Sequence, residues 1–262
     1  MLYVDKTEEI YKLFATGGTY FFLSRPRRFG KSLLITTLEE IFLGNKEIFK
    51  GLYIYDKIEF KKYPVIKLSM NDLVYSKGIK EFEESLLDQL KDIYIKYNLK
   101  LETNDNKTAF KNLIRELSKT EKVVLLIDEY DKPIIEYLED LEKAKEMRNI
   151  LKNFYETIKA NDEYIHFAFL TGVSKFSKTS IFSTLNNLND ITMDEQYSRI
   201  VGIDEKQLHE YFYEYINKLA IKYKKTTEEI KDALKNWYNG YSWDGKNFLY
   251  NPYSLLLLFS KN

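Results

Sequence analysis

Apolar residues recur along this chain with two different spacings, and the places where the spacing switches outline the fold. Asp5-Lys-Thr-Glu8 reads as a capping box that opens a helix with Ile10, Leu13 and Phe14 on one face, closed by Gly17-Gly18. Thr19 to Leu23 is a short β-prone run, and helical spacing resumes at Leu33, Leu34, Leu38, Ile41 and Phe42. Pro64 to Met70 predicts a second strand, followed by a long amphipathic helix marked by Ile79, Phe82, Leu86, Leu90 and Ile93, and then by a helix over 107–119. Lys122 to Asp128 is a continuous apolar run of the kind a doubly covered parallel strand shows. Ile134, Leu138, Leu141, Met147, Leu151, Phe154 and Ile158 keep one helical period. His166 to Thr171 is the next strand, and Arg199 to Gly202 another.

Strands alternating with helices predict an α/β fold with a mostly parallel sheet flanked by helices. From Asp204 the pattern changes. Two helices over 204–222 and 226–238, the second opened by Thr226-x-x-Glu229, precede a hairpin signalled by Asp244-Gly245 and a last helix starting at Asn251-Pro252. The expected organisation is a core of residues 1–203 and a small helical, winged-helix-like lid of residues 204–262, cut short at its C-terminal end. No internal repeat is visible.

Composition narrows the function classes. No purely apolar run exceeds that of Leu255 to Phe259, so no segment crosses a bilayer, and no secretory signal opens the chain. A cytoplasmic protein without a membrane partner is expected. With no cysteine, disulfides and thiolate metal sites are excluded. The two histidines, His166 and His209, lie in an apolar run and on a helix, where structural roles fit best. Lys plus Arg and Asp plus Glu both number 40, so net charge gives a nucleic-acid partner no support.

Chemistry concentrates in Arg25-Pro26-Arg27-Arg28-Phe29-Gly30-Lys31-Ser32-Leu33, between the first strand and the second helix. The stretch ends as a phosphate-binding loop does, with backbone N–H groups at a helix start, Lys31 to reach the β/γ-phosphates and the Ser32 hydroxyl for Mg²⁺. Arg25 stands where the GxxxxGK[ST] pattern has its first glycine, and it carries a penalty of about 1 kcal/mol or more if that position needs a positive φ. Asp128, at the end of its strand, is the expected Mg²⁺ ligand, and Glu129 the residue that polarises the attacking water. Asp131, ahead of Lys132-Pro133, reads as a helix cap. A carboxylate pair of this kind predicts an extra strand, residues 164–171, between the loop strand and the Asp128 strand. Thr171 then faces the γ-phosphate as its sensor, with Ser174 as second choice and turn capping as the alternative. For Arg25, Arg27 and Arg28 three readings stand: an internal arginine finger, Arg28 being the one assigned a catalytic part, contact with a nucleic-acid backbone, or a solvated loop. Lys175, Lys178 and Arg199 are further finger candidates. The cofactors expected are ATP and Mg²⁺.

Several stretches carry a resemblance: Tyr3-Val-Asp-Lys-Thr, Phe22-Leu-Ser-Arg-Pro-Arg-Arg-Phe-Gly-Lys-Ser, Leu126-Ile-Asp-Glu-Tyr-Asp-Lys-Pro, Leu170-Thr-Gly-Val-Ser-Lys-Phe-Ser, Ile181-Phe-Ser-Thr-Leu-Asn-Asn-Leu and Trp237-Tyr-Asn-Gly-Tyr. Together they resemble the bacterial and archaeal AAA-ATPase-like family, described as predicted AAA-ATPase. The resemblance implies an ATP-binding motor or switch module in which the arginine-rich loop is the normal form. Lys31 and Ser32 match its phosphate loop, Asp128 and Glu129 its Mg²⁺ and water positions, and Tyr3 to Lys6 lie where the adenine pocket would be. Members often carry a PD-(D/E)XK nuclease-like domain after this one, which implies such a partner domain beyond the present chain. The leading expectation is an Mg²⁺-dependent ATPase whose nucleotide state moves the lid or an effector domain. Its alternatives are a non-hydrolysing nucleotide switch or scaffold, and a DNA-handling module.

Overall fold

Strands that are apolar throughout need cover on both faces, and the computed structural model, which describes residues 2–76, 78–174 and 188–261, supplies it. The elements run α1 (Thr7–Ala15), β1 (Tyr20–Ser24), α2 (Lys31–Phe42), β2 (Val65–Ser69), α3 (Ile79–Lys96), α4 (Asn106–Ser118), β3 (Val123–Asp128), α5 (Lys132–Ile135), α6 (Leu141–Lys159), β4 (Ile165–Gly172) and β5 (Asn189–Asp190). They continue as α7 (Glu205–Tyr223), α8 (Thr227–Tyr238), β6 (Asn239–Tyr241), β7 (Leu249–Tyr250) and α9 (Pro252–Lys261). The five-stranded sheet has the order β2-β3-β4-β1-β5, and all its pairings are parallel. β4 therefore lies between β1 and β3.

Alternation along each strand divides the core in two. Val123, Leu125 and Ile127 of β3 join α3, α4 and α6 on one face, in a cluster with Phe82, Phe110 and Phe154. Val124 and Leu126 join α1 and α2 on the other, in a cluster with Ile10, Leu38, Phe167 and Phe169. A third cluster, from Ile203 to Phe259, gathers α7, α8 and α9 around Phe212, Ile216 and Leu255. The capping box Thr226/Glu229 forms at α8, and β6 pairs antiparallel with β7 across the Asp244-Gly245 turn. Among the described residues no helix is long and apolar enough to cross a membrane.

Three expectations are corrected. Arg199 to Gly202 is not a strand: its apolar side chains pack into a turn around Gly202 (φ 85°), and the fifth strand is the polar pair Asn189–Asp190. The helical period over 134–158 belongs to two helices, because Asp140 caps a new start by accepting the Lys143 N–H, and Leu138 and Leu141 are exposed. At the N-terminus, Asp5 does not close a box with Glu8. Its Oδ1 accepts from the Thr7 N–H and hydroxyl, while Oδ2 accepts from the Tyr53 N–H.

Candidate functional site

β1 carries the chain to the carboxyl edge of the sheet, and α2 begins after a loop of six residues, 25–30. Two positions in that loop turn left-handed, Arg28 (φ 62°) and Gly30 (φ 98°). Gly30 meets the need with no side chain; Arg28 carries the strain, about 1 to 2 kcal/mol. Arg25, expected to bear it, has no positive φ. Its N–H donates to Gly172 O, and its side chain is 1% exposed. Arg25 Nη1 donates to Ser24 O (2.9 Å) and Thr192 O (2.7 Å), and the guanidinium lies 4.7 Å over the Trp243 ring. Burial pulls its pKa down to about 9, against Asp190 and Asp244, and it stays cationic at neutral pH.

The neighbours divide by role. Pro26 is half-buried and gives its carbonyl to Lys31; Arg27 is exposed. Arg28 is exposed and lies 4.2 Å over the ring of Tyr253 on α9. Phe29 is fully buried against Tyr241 and Trp243, and its carbonyl accepts the Gly202 N–H. A side chain at Gly202 would come within 2.5 Å of the Phe29 ring. Ser32 and Leu33 are exposed on the first turn of α2. Lys31 is buried, and Nζ donates to the carbonyls of Arg25 (2.9 Å) and Pro26 (3.0 Å). Burial lowers its pKa, opposed by the carboxylates of Glu129, Asp128 and Asp131.

Those carboxylates arrive from β3. Asp128 is buried and accepts the Thr171 hydroxyl from β4. Glu129 is left-handed (φ 53°) and half-buried, and its N–H donates to Thr171 Oγ1 (3.3 Å). Burial, then Asp128, raises its pKa, so it is a stronger base than a free carboxylate. The carboxyl ends of three adjacent strands thus bring Lys31, Thr171, Asp128 and Glu129 together. Asp131 occupies the cap position of α5, yet its side chain makes no cap bond; its carboxylate accepts from Val173 N and Ser174 N instead. Ser174 is held through its backbone. Lys175 and Lys178 lie outside the described residues, as does the stretch 181–187 of the resemblance, and Arg199 pairs with Glu9 (3.3 Å) and Asp204 (3.8 Å). His166 stacks on Tyr63, and His209 sits 3.2 Å from Glu205.

Beside Gly30 opens a largely apolar cavity of about 330 Å³. Tyr3, Val4 and Lys6 are among its lining residues, as are Leu33 and Leu34 of α2, Ile200 to Ile203, and Phe212, Pro252 and Leu256. Lys6 Nζ ties the N-terminal segment to α7, donating to Gln207 Oε1 (2.6 Å) and Arg199 O (3.1 Å). Burial pulls its pKa down to about 8, from 10.5. Between those values the unfolded chain holds a proton that the folded one lacks, so stability from this group rises with pH. Urea unfolding at about pH 7.5 and about pH 9.5 should show wild type gaining about 1 to 2 kcal/mol over Lys6→Gln. Parallel curves would contradict the assignment.

The residues present fit a nucleotide with Mg²⁺. α2 offers its N-terminus, an open glycine beside it and an exposed hydroxyl, the donor set that phosphates require. Among the described residues no three His, Asp or Glu side chains gather closely enough to hold a metal alone. Mg²⁺ is commonly held by one or two protein oxygens together with substrate phosphates, which Asp128 and Ser32 can supply. Sequence reasoning missed Tyr130, Gly172, Trp243 and Tyr253 as parts of this site. Trp243 and Tyr253 lie far along the chain, in the β6–β7 hairpin and α9, and sequence spacing does not connect them to the loop.

The profile of the family described as "Predicted AAA-ATPase" matches residues 1–182. The chain is also 40% identical over 262 residues to a protein of Azotobacter chroococcum mcd 1 described as "Uncharacterized protein in vnfD 5'region". That alignment covers 99% of this chain and 48% of the other, so the chain spans about half the length of the curated relative it matches.

Proposed function

Because the chain belongs to the predicted AAA-ATPase family, we propose that it binds Mg²⁺-ATP at the carboxyl ends of β1, β4 and β3 and hydrolyses it. The observation that supports this best is the meeting of Lys31, Thr171, Asp128 and Glu129 there. In this reading Lys31 leaves the carbonyls of Arg25 and Pro26 for phosphate oxygens, and the loop amides before α2 donate to them. Ser32 and Asp128 would hold Mg²⁺, which when bound would neutralise charge on the phosphates. Glu129 orients a water and accepts its proton, and the Thr171 hydroxyl senses the γ-phosphate from between Asp128 and Glu129.

The apolar cavity beside Gly30 takes the base. Since Phe212 of α7 and Pro252 and Leu256 of α9 line it, and Arg28 stacks on Tyr253, the nucleotide touches both the core and the winged-helix-like lid of residues 204–262. Nucleotide state and lid position are then coupled, because Arg28 leaves Tyr253 when it turns to phosphate.

The test is phosphate release from Mg²⁺-ATP, with nucleotide binding followed alongside. Steady release that stops on chelation of Mg²⁺, with Lys31→Ala binding ATP roughly 100-fold more weakly, is the expected result. Tight binding without steady release would instead support a nucleotide-gated switch. Absence of ATP binding would sink both.

A further inference from the structure

We infer that Asp131 is a positioning residue for the proposed hydrolysis, holding the exit of β4 so that Thr171 and Glu129 face each other; the inference rests on that reading of the site.

The β3–β4 ladder ends at Ile127 and Leu170. Beyond that pair no regular register holds the two strand exits together, yet the residues that matter lie beyond it. The link is remade by the pair that follows Glu129. Tyr130 N donates to Thr171 O (2.8 Å), and Tyr130 Oη donates to Ser174 O (2.9 Å). The Asp131 carboxylate accepts from Val173 N (2.9 Å) and Ser174 N (2.6 Å). Glu129 is thus fixed from the Asp128 side by Thr171 and from the other side by Tyr130 and Asp131.

Two further observations bear on the same role. Asp131 is fully buried and stands where α5 begins, but its side chain caps nothing there; its acceptor capacity crosses to β4. Gly172 lies in the passage between them. A Cβ at this position would sit 2.4 Å from the Tyr130 ring and 2.8 Å from Asp131 Oδ1. Only glycine lets the ring and the carboxylate reach the β4 exit.

The experiment compares wild type, Asp131→Asn and Tyr130→Phe by Mg²⁺-ATP turnover, ATP binding and amide hydrogen exchange. Both N–H groups donate to Oδ2, and Val173 N also reaches Oδ1 (3.2 Å), so Asn keeps the shared oxygen only by setting its NH₂ against the Val173 N–H, and it removes the charge. The expected result for Asp131→Asn is a kcat at least about 10-fold lower, Kd for ATP within about threefold, and faster exchange confined to Val173 and Ser174. Tyr130→Phe, which removes the hydroxyl that donates to Ser174 O, should lower kcat by about threefold, and it serves where Asp131→Asn fails to fold. A kcat within twofold of wild type in both variants overturns the inference. So does a loss of kcat matched by weaker ATP binding and by faster exchange throughout the sheet, since that is what a purely structural carboxylate would give. If wild type itself does not turn over ATP, the hydrolase reading fails instead, and localised exchange at Val173 and Ser174 still reports whether Asp131 holds the β4 exit.

Discussion

Glu129→Gln should bind Mg²⁺-ATP with a Kd within about threefold of wild type and hydrolyse it at least about 100-fold more slowly. The expectation comes from the difference between the two carboxylates of the pair. Asp128 is buried, and its oxygen already accepts the Thr171 hydroxyl, which suits a fixed ligand. Glu129 is half-buried, and its pKa is raised by burial and by Asp128, which suits a group that takes a proton. Gln preserves the shape and removes the basicity. A companion variant separates strain from chemistry. Glu129 is held at φ 53°, a conformation disfavoured for a side chain by about 1 to 2 kcal/mol, whereas glycine adopts it freely. Glu129→Gly should therefore be about as stable as wild type or slightly more so, and equally inactive. Phosphate release and urea unfolding on the same preparations give both numbers. A Glu129→Gln protein that turns over within threefold of wild type would remove Glu129 from the role of base.

Much of this site could be read in the sequence, and what could not shares a physical cause. β3 was legible because a strand covered on both faces must be apolar at every position, and Val123 to Ile127 are. The loop between β1 and α2 was legible because a β-prone run ends before it, helical spacing starts after it, and Gly30 stands at the turn into the helix. β5 was not: Asn189 and Asp190 pair with Phe21 and Phe22 at an edge of the sheet, and their side chains carry no hydrophobic signal. Ile200 and Val201 misled in the opposite sense. They are apolar because they line a cavity and fill the core around Gly202, and burial in a turn leaves the same mark as burial in a strand. The break between α5 and α6 hid for a related reason, since Ile134 and Met147 enter one cluster on either side of it. Asp131 looked like a cap because the residues after it do start a helix; which donors a carboxylate reaches is decided by the strand beside it, and sequence spacing does not carry that.

Arg25→Gly, which restores the first glycine of the usual loop pattern, should weaken the protein rather than improve its loop. If position 25 needed a positive φ, glycine would relieve strain there. It does not need one; the left-handed residue with a side chain is Arg28. What glycine deletes is a buried strut. Arg25 Nη1 joins Ser24 O at the end of β1 to Thr192 O beyond β5, and the guanidinium stacks on Trp243 of the hairpin that also packs on Phe29. Two hydrogen bonds from a charged donor, a desolvated cation–π contact and the lost volume together exceed what is regained by no longer desolvating a guanidinium whose Nε and Nη2 have no hydrogen-bond partner among the described residues. The expected net loss is about 3 kcal/mol, or a fall in Tm of roughly 6 °C for a chain of this size. Arg25→Met fills most of the volume and removes the buried charge along with its desolvation cost, so it should lose only about half as much. Denaturant unfolding of the three proteins orders them wild type, Met, Gly. If Arg25→Gly instead keeps its stability within about 0.5 kcal/mol and releases phosphate faster, the arginine is an impediment in the loop and the strut assignment fails.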